Sequence, residues 1–541
     1  MTRPWERRVT EHASPRGWHG PAEALAFTGD GIRACLMNLA EPCHLVRLNG
    51  RLAATNHGTL TEMPRDGVEL LASAPPISAE RLGSAAFRAA HRVRYAYAAG
   101  AMANGIASEA MVIALGQQRL LSSFGAAGLV PTRVEAAIRQ IQAALPHGPY
   151  AFNLIHSPSE EAIERRGVEL YLRYGVRTIE ASAFLNLTPN VVRYRVAGLG
   201  TDPAGRIVIG HRVIAKVSRR EVAEPFLRPA PPAILAQLLA AGEITPRQAE
   251  LAARVPMCDD LTVEADSGGH TDNRPLVSLL PSLLLLRDQI QAELRYAQPV
   301  RLGAAGGIGT PDSAFGAFAM GADYVVTGSV NQSCHESGAS PHSRELLAQA
   351  DVADVMMAPA ADMFEMGVKV QVLKKGTLFA VRAQKLYDLY RAYDGIEALP
   401  PSERASIERQ IFRRNLDDVW EGTRQYFAER DPEQVHRAEA NPRRKMALVF
   451  RWYLGLSSRW SNAGEAGREL DYQIWCGPSM GAFNAWVRGT YLEPAAARSV
   501  TDVAEQLMFG AAYQARIMQL RLQGVPVPAQ YARYVPQPFA G

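Results

Sequence analysis

Lysine, cysteine and net charge are all scarce in this chain of 541 residues. Only six of its 58 basic residues are lysine: Lys216, Lys369, Lys374, Lys375, Lys385 and Lys445. Arginine carries the rest, a skew that fits a GC-rich genome rather than a mechanism. The formal net charge of +4 is too mild to imply nucleic acid as a partner. There are five cysteines (Cys35, Cys43, Cys258, Cys334, Cys476), odd in number and scattered, with no C-x-x-C spacing. That pattern argues for a reducing cytoplasm and against a structural zinc site, so no metal is expected. Long apolar runs are missing too. SLLPSLLLL (Ser278–Leu286) is too short to span a bilayer and reads as a buried helix. The N-terminus is charged and lacks an extended apolar stretch, so no signal peptide is expected. These absences point to a cytoplasmic protein with neither membrane nor nucleic acid as partner.

Apolar residues make up 47% of the chain, ample for a large core, and the length exceeds one typical domain. Residues 1–87 are rich in turn formers and carry short strand-like runs, among them HLVRLNGRLAAT (His44–Thr55) with a hairpin signal at Asn49-Gly50. A small, mostly β domain is expected there. From about Arg94 the pattern becomes rhythmic. Eight candidate strands follow: RYAYAAG, RLLSSFGA, YAFNLIH, VRTIEASA, RVIAKVS, DDLTVEA, VRLGAAGG and ADYVVTGS. Helical segments separate most of them, such as PTRVEAAIRQIQAAL (Pro131–Leu145) and SEEAIERRGVELYLRYG (Ser159–Gly175). Eight alternating units favour an α/β fold of the closed (β/α)8 TIM-barrel type over residues 88–392. Residues 393–541 are mostly helical and charged, and are expected to form a helical C-terminal module.

Two segments carry the chemistry. LTVEADSGGHTDN (Leu261–Asn273) reads as a strand running into a glycine-opened loop that bears His270. VRLGAAGGIGTPDSAFGAFAMGADYVVTGS (Val300–Ser329) reads as strand, glycine loop, helix, strand and a second Gly-Ser end. Late in a barrel, such loops form a phosphate cradle at the face where the strands end. Glycines let the backbone approach a phosphate, and a following helix N-terminus favours the anion. Thr310 is the expected N-cap of that helix, Pro311 its first residue and Gly321 its stop. His270 is placed for acid/base work, against the alternative of a loop histidine satisfied locally. Lys216 ends an apolar strand. It suits a phosphate, the electron-rich edge of a flavin, or a Schiff base, with a buried salt bridge as an equal competitor. Asn153 closes its strand similarly, and helix capping competes there. GLGTDPAG (Gly198–Gly205) fails as a dinucleotide fingerprint because Pro203 takes the third glycine's place, and TDPAG reads as a hairpin turn. Cys334 lacks a supporting histidine pattern beyond His335 and reads as packing. The run WCGPSMGAFN (Trp475–Asn484) reads either as a lid or interface or as ordinary packing.

The segments DLTVEADSGGHTDNRPL, GAAGGIGTP, MGADYVVTGSVNQ, APAADMFEMGVKVQVLKKGT and DYQIWCGPSMGAFNAWV resemble the PfaD family, the trans-acting enoyl reductases of polyunsaturated fatty acid and polyketide synthases. The resemblance covers nearly the whole chain and is weakest at its start. The family is similar in turn to the nitronate monooxygenase and FMN-dependent enoyl reductase barrels. It implies FMN lying across the strand ends. The loop AGAMANG (Ala99–Gly105), with Ala101 and Met102, would face the isoalloxazine. Asn153 and Lys216 would hydrogen-bond the cofactor, Gly268 and Gly269 would line it, and Gly306, Gly307, Gly328 and Ser329 would hold its phosphate. His270 falls at the relatives' GGH histidine. The implied reaction passes hydride from NADPH to flavin and on to the β-carbon of a 2-enoyl thioester held on an acyl carrier protein, with a proton to the α-carbon. A homodimer is compatible with this reading. Two alternatives stay open at this level: an oxygen-using nitronate monooxygenase, which shares barrel, FMN and histidine, and a non-catalytic flavin-bound scaffold within a synthase.

Overall fold

A computed structural model describes residues 16–156 and 161–539. The segment bearing on a signal peptide lies mostly outside the described residues, as do Ser159 and Glu160. The helix expected there is described over Glu161–Arg173.

The eight expected strands form one closed parallel barrel. They are β1 (Tyr97–Ala99), β2 (Leu121–Phe124), β3 (Ala151–Ile155), β4 (Thr178–Ser182), β5 (Arg212–Val217), β6 (Asp260–Glu264), β7 (Arg301–Ala305) and β8 (Tyr324–Thr327). Closure is made by β8 on β1, with Val325 opposite Tyr97. Helices cover the outside of a strand and side chains fill the inside, so such strands read as apolar runs without alternation. The covering helices show the complementary pattern. Pro131–Ala144 buries Val134, Ala137, Ile138 and Ile141, one stripe at helical spacing. Leu276–Leu294 buries Leu280, Leu283, Leu286 and Ile290 while Val277 and Leu285 stay exposed, so only one face of the apolar run is covered. Among the described residues no helix is long and apolar enough to cross a membrane. All five cysteines are free thiols.

At the N-terminal end of the barrel Asp260, the first residue of β6, accepts from Arg301 at 2.6 and 2.8 Å, and His91 Nε2 lies 2.8 Å from the same carboxylate. Burial penalises the charged carboxylate, but His91 and Arg301 outweigh it and hold the Asp260 pKa down at about 2. This end of a barrel serves stability.

The chain divides into two compact units, one of residues up to Leu82 together with Glu505–Pro536, the other of Gly83–Ala504. In the first, an antiparallel sheet runs in the order Arg51–Thr55, Cys43–Leu48, Val68–Ala74, Gly17–His19, Thr59–Thr61. Its hairpin turns at Asn49 and Gly50, both left-handed (φ 51° and 76°), the pair of conformations a two-residue turn of this twist requires. In the second unit the TDPAG turn joins Leu199–Thr201 to Ile207–Ile209. The Asp202 carboxylate there accepts from the amides of Ala204 and Arg206 at 3.0 and 2.9 Å.

Beyond the barrel strands, Gly269–His270, Lys369–Leu373 and Val355–Pro359 make a small antiparallel sheet. Helices then follow, including Phe379–Ala392, Leu416–Arg430 and Pro442–Ala463. They do not stand apart from what precedes them. Phe364, Val372 and Phe379 share one buried cluster with Phe412, Phe450 and Tyr453, which is why residues 393–504 belong to the barrel unit.

Candidate active site

The C-terminal halves of the strands and the loops after them bring the expected residues to one face of the barrel, although Asn153 does not close its strand as the sequence suggested. Asn153 is the middle residue of β3, directly opposite Glu180 of β4. It is buried, and its Nδ2 donates to the Glu180 carbonyl at 3.0 Å and to Ser182 Oγ at 3.1 Å. Lys216, near the end of β5, reaches between two carboxylates. Its Nζ lies 3.3 Å from Glu264 and 3.7 Å from Glu180. Burial disfavours the ammonium, but Glu264 and Glu180 together outweigh it and raise its pKa. The Glu180 carboxylate also accepts from the Ala101 amide at 3.2 and 3.3 Å, fixing the loop after β1. Met102 in that loop lies against the chain at Gly125, where a Cβ would come within 1.7 Å of the Met102 carbonyl oxygen. The same loop is held from the C-terminal region by Asn104 Nδ2 donating to Ser458 Oγ at 2.9 Å.

The loop after β6 carries Gly268, Gly269 and His270. His270 is held in the small sheet opposite Val370, and its Nε2 lies 3.2 Å from Asp362 Oδ1. Nδ1 has no hydrogen-bond partner among the described residues. Burial alone would depress the imidazole pKa. The hydrogen bond and charge of Asp362, with help from Glu264, reverse this and raise it. His270 conversely holds the Asp362 carboxyl below its usual range against burial. Gln371 pins the loop from beneath, donating to Asp266 Oδ1 at 2.7 Å and to the Ser267 carbonyl at 2.8 Å.

The glycines divide by what surrounds them. Gly306 is left-handed (φ 79°), and a Cβ there would sit 2.6 Å from the Ala265 carbonyl carbon, so it is needed for packing against the end of β6. Gly307 (φ 76°), Gly269 (φ 79°) and Gly328 face open space, with nothing within 4 Å of a Cβ. Beyond Gly307, the helix Pro311–Ala319 starts with Thr310 accepting from the Ser313 amide, and Gly321 ends it at φ 101°. The run WCGPSM packs onto this face as a wall. A Cβ on Gly268 would meet the Cys476 backbone at 2.8 Å, and one on Gly309 would meet the Ser479 carbonyl oxygen at 2.4 Å. Ser329 Oγ accepts from the Gly477 amide at 3.0 Å. Cys334 is fully buried, and burial pushes its thiol well above the ordinary range, so it is no nucleophile at neutral pH.

Glu180, Glu264 and Asp362 were not singled out by the motifs. Two of them left a trace: Glu180 is the single charge inside the apolar strand TIEAS, and Glu264 is the charge that closes the apolar run LTV. Asp362 left none, since its partner is 92 residues away. Among the described residues no group of His, Cys, Asp and Glu is arranged to hold a metal.

Comparison with known proteins gives a consistent answer. Residues 18–76 match the fatty acid synthase subunit PfaD N-terminal domain, and residues 393–472 match the inserted helical domain of [acyl-carrier-protein] S-malonyltransferase. The enoyl reductase domain of MlnA, from the macrolactin biosynthesis cluster of Bacillus amyloliquefaciens, superposes with a TM-score of 0.78 at 39% identity, over 82% of this chain and 99% of that one. A polyunsaturated fatty acid synthase subunit of Thraustochytrium sp. is 51% identical over 82% of this chain, and polyketide biosynthesis protein PksE of Bacillus subtilis is 44% identical over 84%. The chain spans only 30% and 58% of the lengths of those two proteins. The fold is thus the (β/α)8 barrel that this chain shares with the MlnA domain. The chain belongs to the PfaD family.

Proposed function

We propose that this chain is an FMN-dependent, NADPH-using enoyl reductase that acts in trans on 2-enoyl thioesters of acyl carrier protein in polyketide or polyunsaturated fatty acid assembly. One observation carries the reading. Open glycines at the ends of β7 and β8 face the same end of the barrel as a histidine held by a carboxylate. Gly307 and Gly328 leave the room a phosphate monoester needs, beside the start of the helix Pro311–Ala319, so the residues present fit FMN. Gly307, Gly328 and Ser329 would hold its phosphate, with Gly306 shaping the loop. Ala101, Met102, Asn153, Lys216, Gly268 and Gly269 would surround its ring system. When bound, FMN supplies a hydride acceptor and donor that lets NADPH and enoyl thioester react in turn.

The protein's own groups supply position and protons. The loop after β1 is fixed by Glu180 and by Ser458, which sets one wall of the pocket. Lys216 keeps one positive charge between Glu180 and Glu264 at the floor. His270 takes the protonic role. With Nε2–H held by Asp362, the proton available for the substrate α-carbon is the one at Nδ1. A carboxylate partner that favours the imidazolium keeps that proton in place until the substrate carbanion develops. The wall built from Trp475–Ser479, packed on Gly268 and Gly309, would shield the phosphate side from water. The relatives named above are a synthase component, a polyketide biosynthesis protein and an enoyl reductase domain, which supports the substrate class.

The test is anaerobic NADPH oxidation with and without a crotonyl thioester. The proposal requires NADPH consumption that depends on the thioester and yields the saturated product. NADPH consumption that instead demands oxygen or a nitronate would replace this function with that of a flavin oxidase.

A further inference from the structure

A cleft of about 620 Å³ that none of these roles uses is lined in part by Asp272 and Arg274, on the chain just after His270. It opens at the C-terminal end of β5, one residue past Val217, and is bounded by the loop that carries His270. Three arginines line it. Arg219 is committed to Asp272 by two hydrogen bonds of 2.8 and 2.6 Å, and Ser218 Oγ donates to the same carboxylate at 2.6 Å. This ties the cleft rim to a residue two positions beyond His270. Among the described residues Arg220 donates only to Ser282, to its carbonyl at 2.9 Å and its hydroxyl at 3.3 Å, and meets no carboxylate. Arg274 is exposed, and its side chain has no hydrogen bond or ion pair among the described residues. Against these three cations stand Asp272, which accepts from Arg219 and Ser218 and attracts Arg274 at longer range, and Glu221. The cleft therefore presents two guanidinium groups that no carboxylate among the described residues hydrogen-bonds, in a wall that continues from the loop carrying His270. Guanidinium groups with free N–H donors match the oxygens of a phosphate ester, and such charge-assisted bonds are the strong ones.

We propose that this cleft is a phosphate-ester subsite that anchors the tail of a ligand whose reactive end lies at His270. The inference rests on the proposed function for what lies at His270, and two ligands of that reaction carry such a tail. One is the 2′-phosphate of NADPH, and the other is the phosphate of the pantetheine arm that bears the acyl thioester. Either would use Arg220 and Arg274 as its clamp, while Arg219 serves to hold the rim.

The experiment is calorimetric titration of the protein as purified, without turnover. The probes are adenosine 2′,5′-bisphosphate and 4′-phosphopantetheine. Their controls, 5′-AMP and pantetheine, lack the phosphate in question. Arg274→Glu and Arg220→Gln are compared with the unmodified chain. Losing one charge-assisted bond to phosphate weakens binding on the order of tenfold. The expected result is that at least one phosphorylated probe binds and weakens by about that factor in both variants, while its control is indifferent to them. A response in the bisphosphate arm assigns the cleft to the nicotinamide donor, and one in the phosphopantetheine arm assigns it to the carrier arm. Unchanged affinity in both variants, no binding of either probe, or equal losses for the controls would overturn the subsite. Because no step of the assay is catalytic, these outcomes are separate from failure of enoyl reduction itself.

Discussion

Gly306 and Gly307 are neighbours with the same left-handed backbone, yet only one of them looks into open space. That contrast makes the cradle testable at a single side chain. Gly307→Val puts a branched side chain where the phosphate would lie, and the purified variant should be colourless, with flavin content read from its visible absorbance. Full flavin occupancy in this variant would remove Gly307 from the cradle. Urea unfolding of the same variant separates the backbone strain of a β-branched residue at positive φ from loss of the cofactor. The second residue-scale prediction concerns pH. Asp362 raises the His270 pKa, so the protonated form persists above the ordinary value of 6.5. Activity that needs the His270 proton should fall as pH rises through that raised value. In Asp362→Asn the fall should begin at lower pH, because burial then acts with less opposition. The sign for stability is the same: what the raised histidine contributes is fully present below about pH 6.5 and is lost as pH rises through the higher folded value. An unchanged alkaline limb in Asp362→Asn would show that Asp362 does not set the histidine's charge. The arginine-rich composition told nothing of this pair, because a histidine and an aspartate 92 positions apart leave no common pattern in the sequence.

The strand β6 carries a charge at each end, with a different task for each. Glu264 faces Lys216 at the site, and Asp260 is buried under Arg301 and His91 at the far end. Asp260→Asn would leave the Arg301 guanidinium buried without its countercharge, which costs about 3–5 kcal/mol. Denaturant unfolding should show that loss while leaving cofactor binding intact. A change within experimental scatter would mean that the cluster relaxes or hydrates when broken. Asp260 contributes stability above its ordinary value of 3.8, and that part is lost as pH falls towards its folded value of about 2. At this scale much was legible. All eight barrel strands could be read because burial on both faces writes them as apolar runs. The turns at Asn49-Gly50 and TDPAG could be read because left-handed positions demand particular residues. The small sheet that holds His270 could not. Its first strand is the two residues Gly269 and His270, and the partners are Gln371 and Val370, a hundred positions on, so no local period exists to detect.

Across the whole molecule, the site is completed by chain that lies far beyond the barrel in sequence. Ser458 holds the loop after β1, Gly477 donates to Ser329, and the backbone at Cys476 and Ser479 packs against Gly268 and Gly309. The helices after residue 393 looked like a separate module because their composition changes there, whereas the cluster joining Phe364 and Phe379 to Phe412 and Phe450 runs straight through that boundary. Composition reports where a chain becomes helical and charged, and says nothing of which apolar face it will share. The relatives of this chain are longer proteins, so the carrier domains proposed as its partners are to be sought within such assemblies. The central claim is that this barrel reduces an enoyl thioester with His270 supplying the proton, and anaerobic stopped-flow spectroscopy tests it by separating the two half-reactions. In the unmodified protein, NADPH should bleach the flavin and an enoyl thioester should restore its colour without oxygen. In His270→Ala the bleaching should proceed nearly unchanged, while recovery with enoyl thioester slows by about 10²–10⁴-fold, the usual cost of removing one general acid. Colour that returns only when oxygen is admitted, or a His270→Ala variant that recovers at the unmodified rate, would contradict the account.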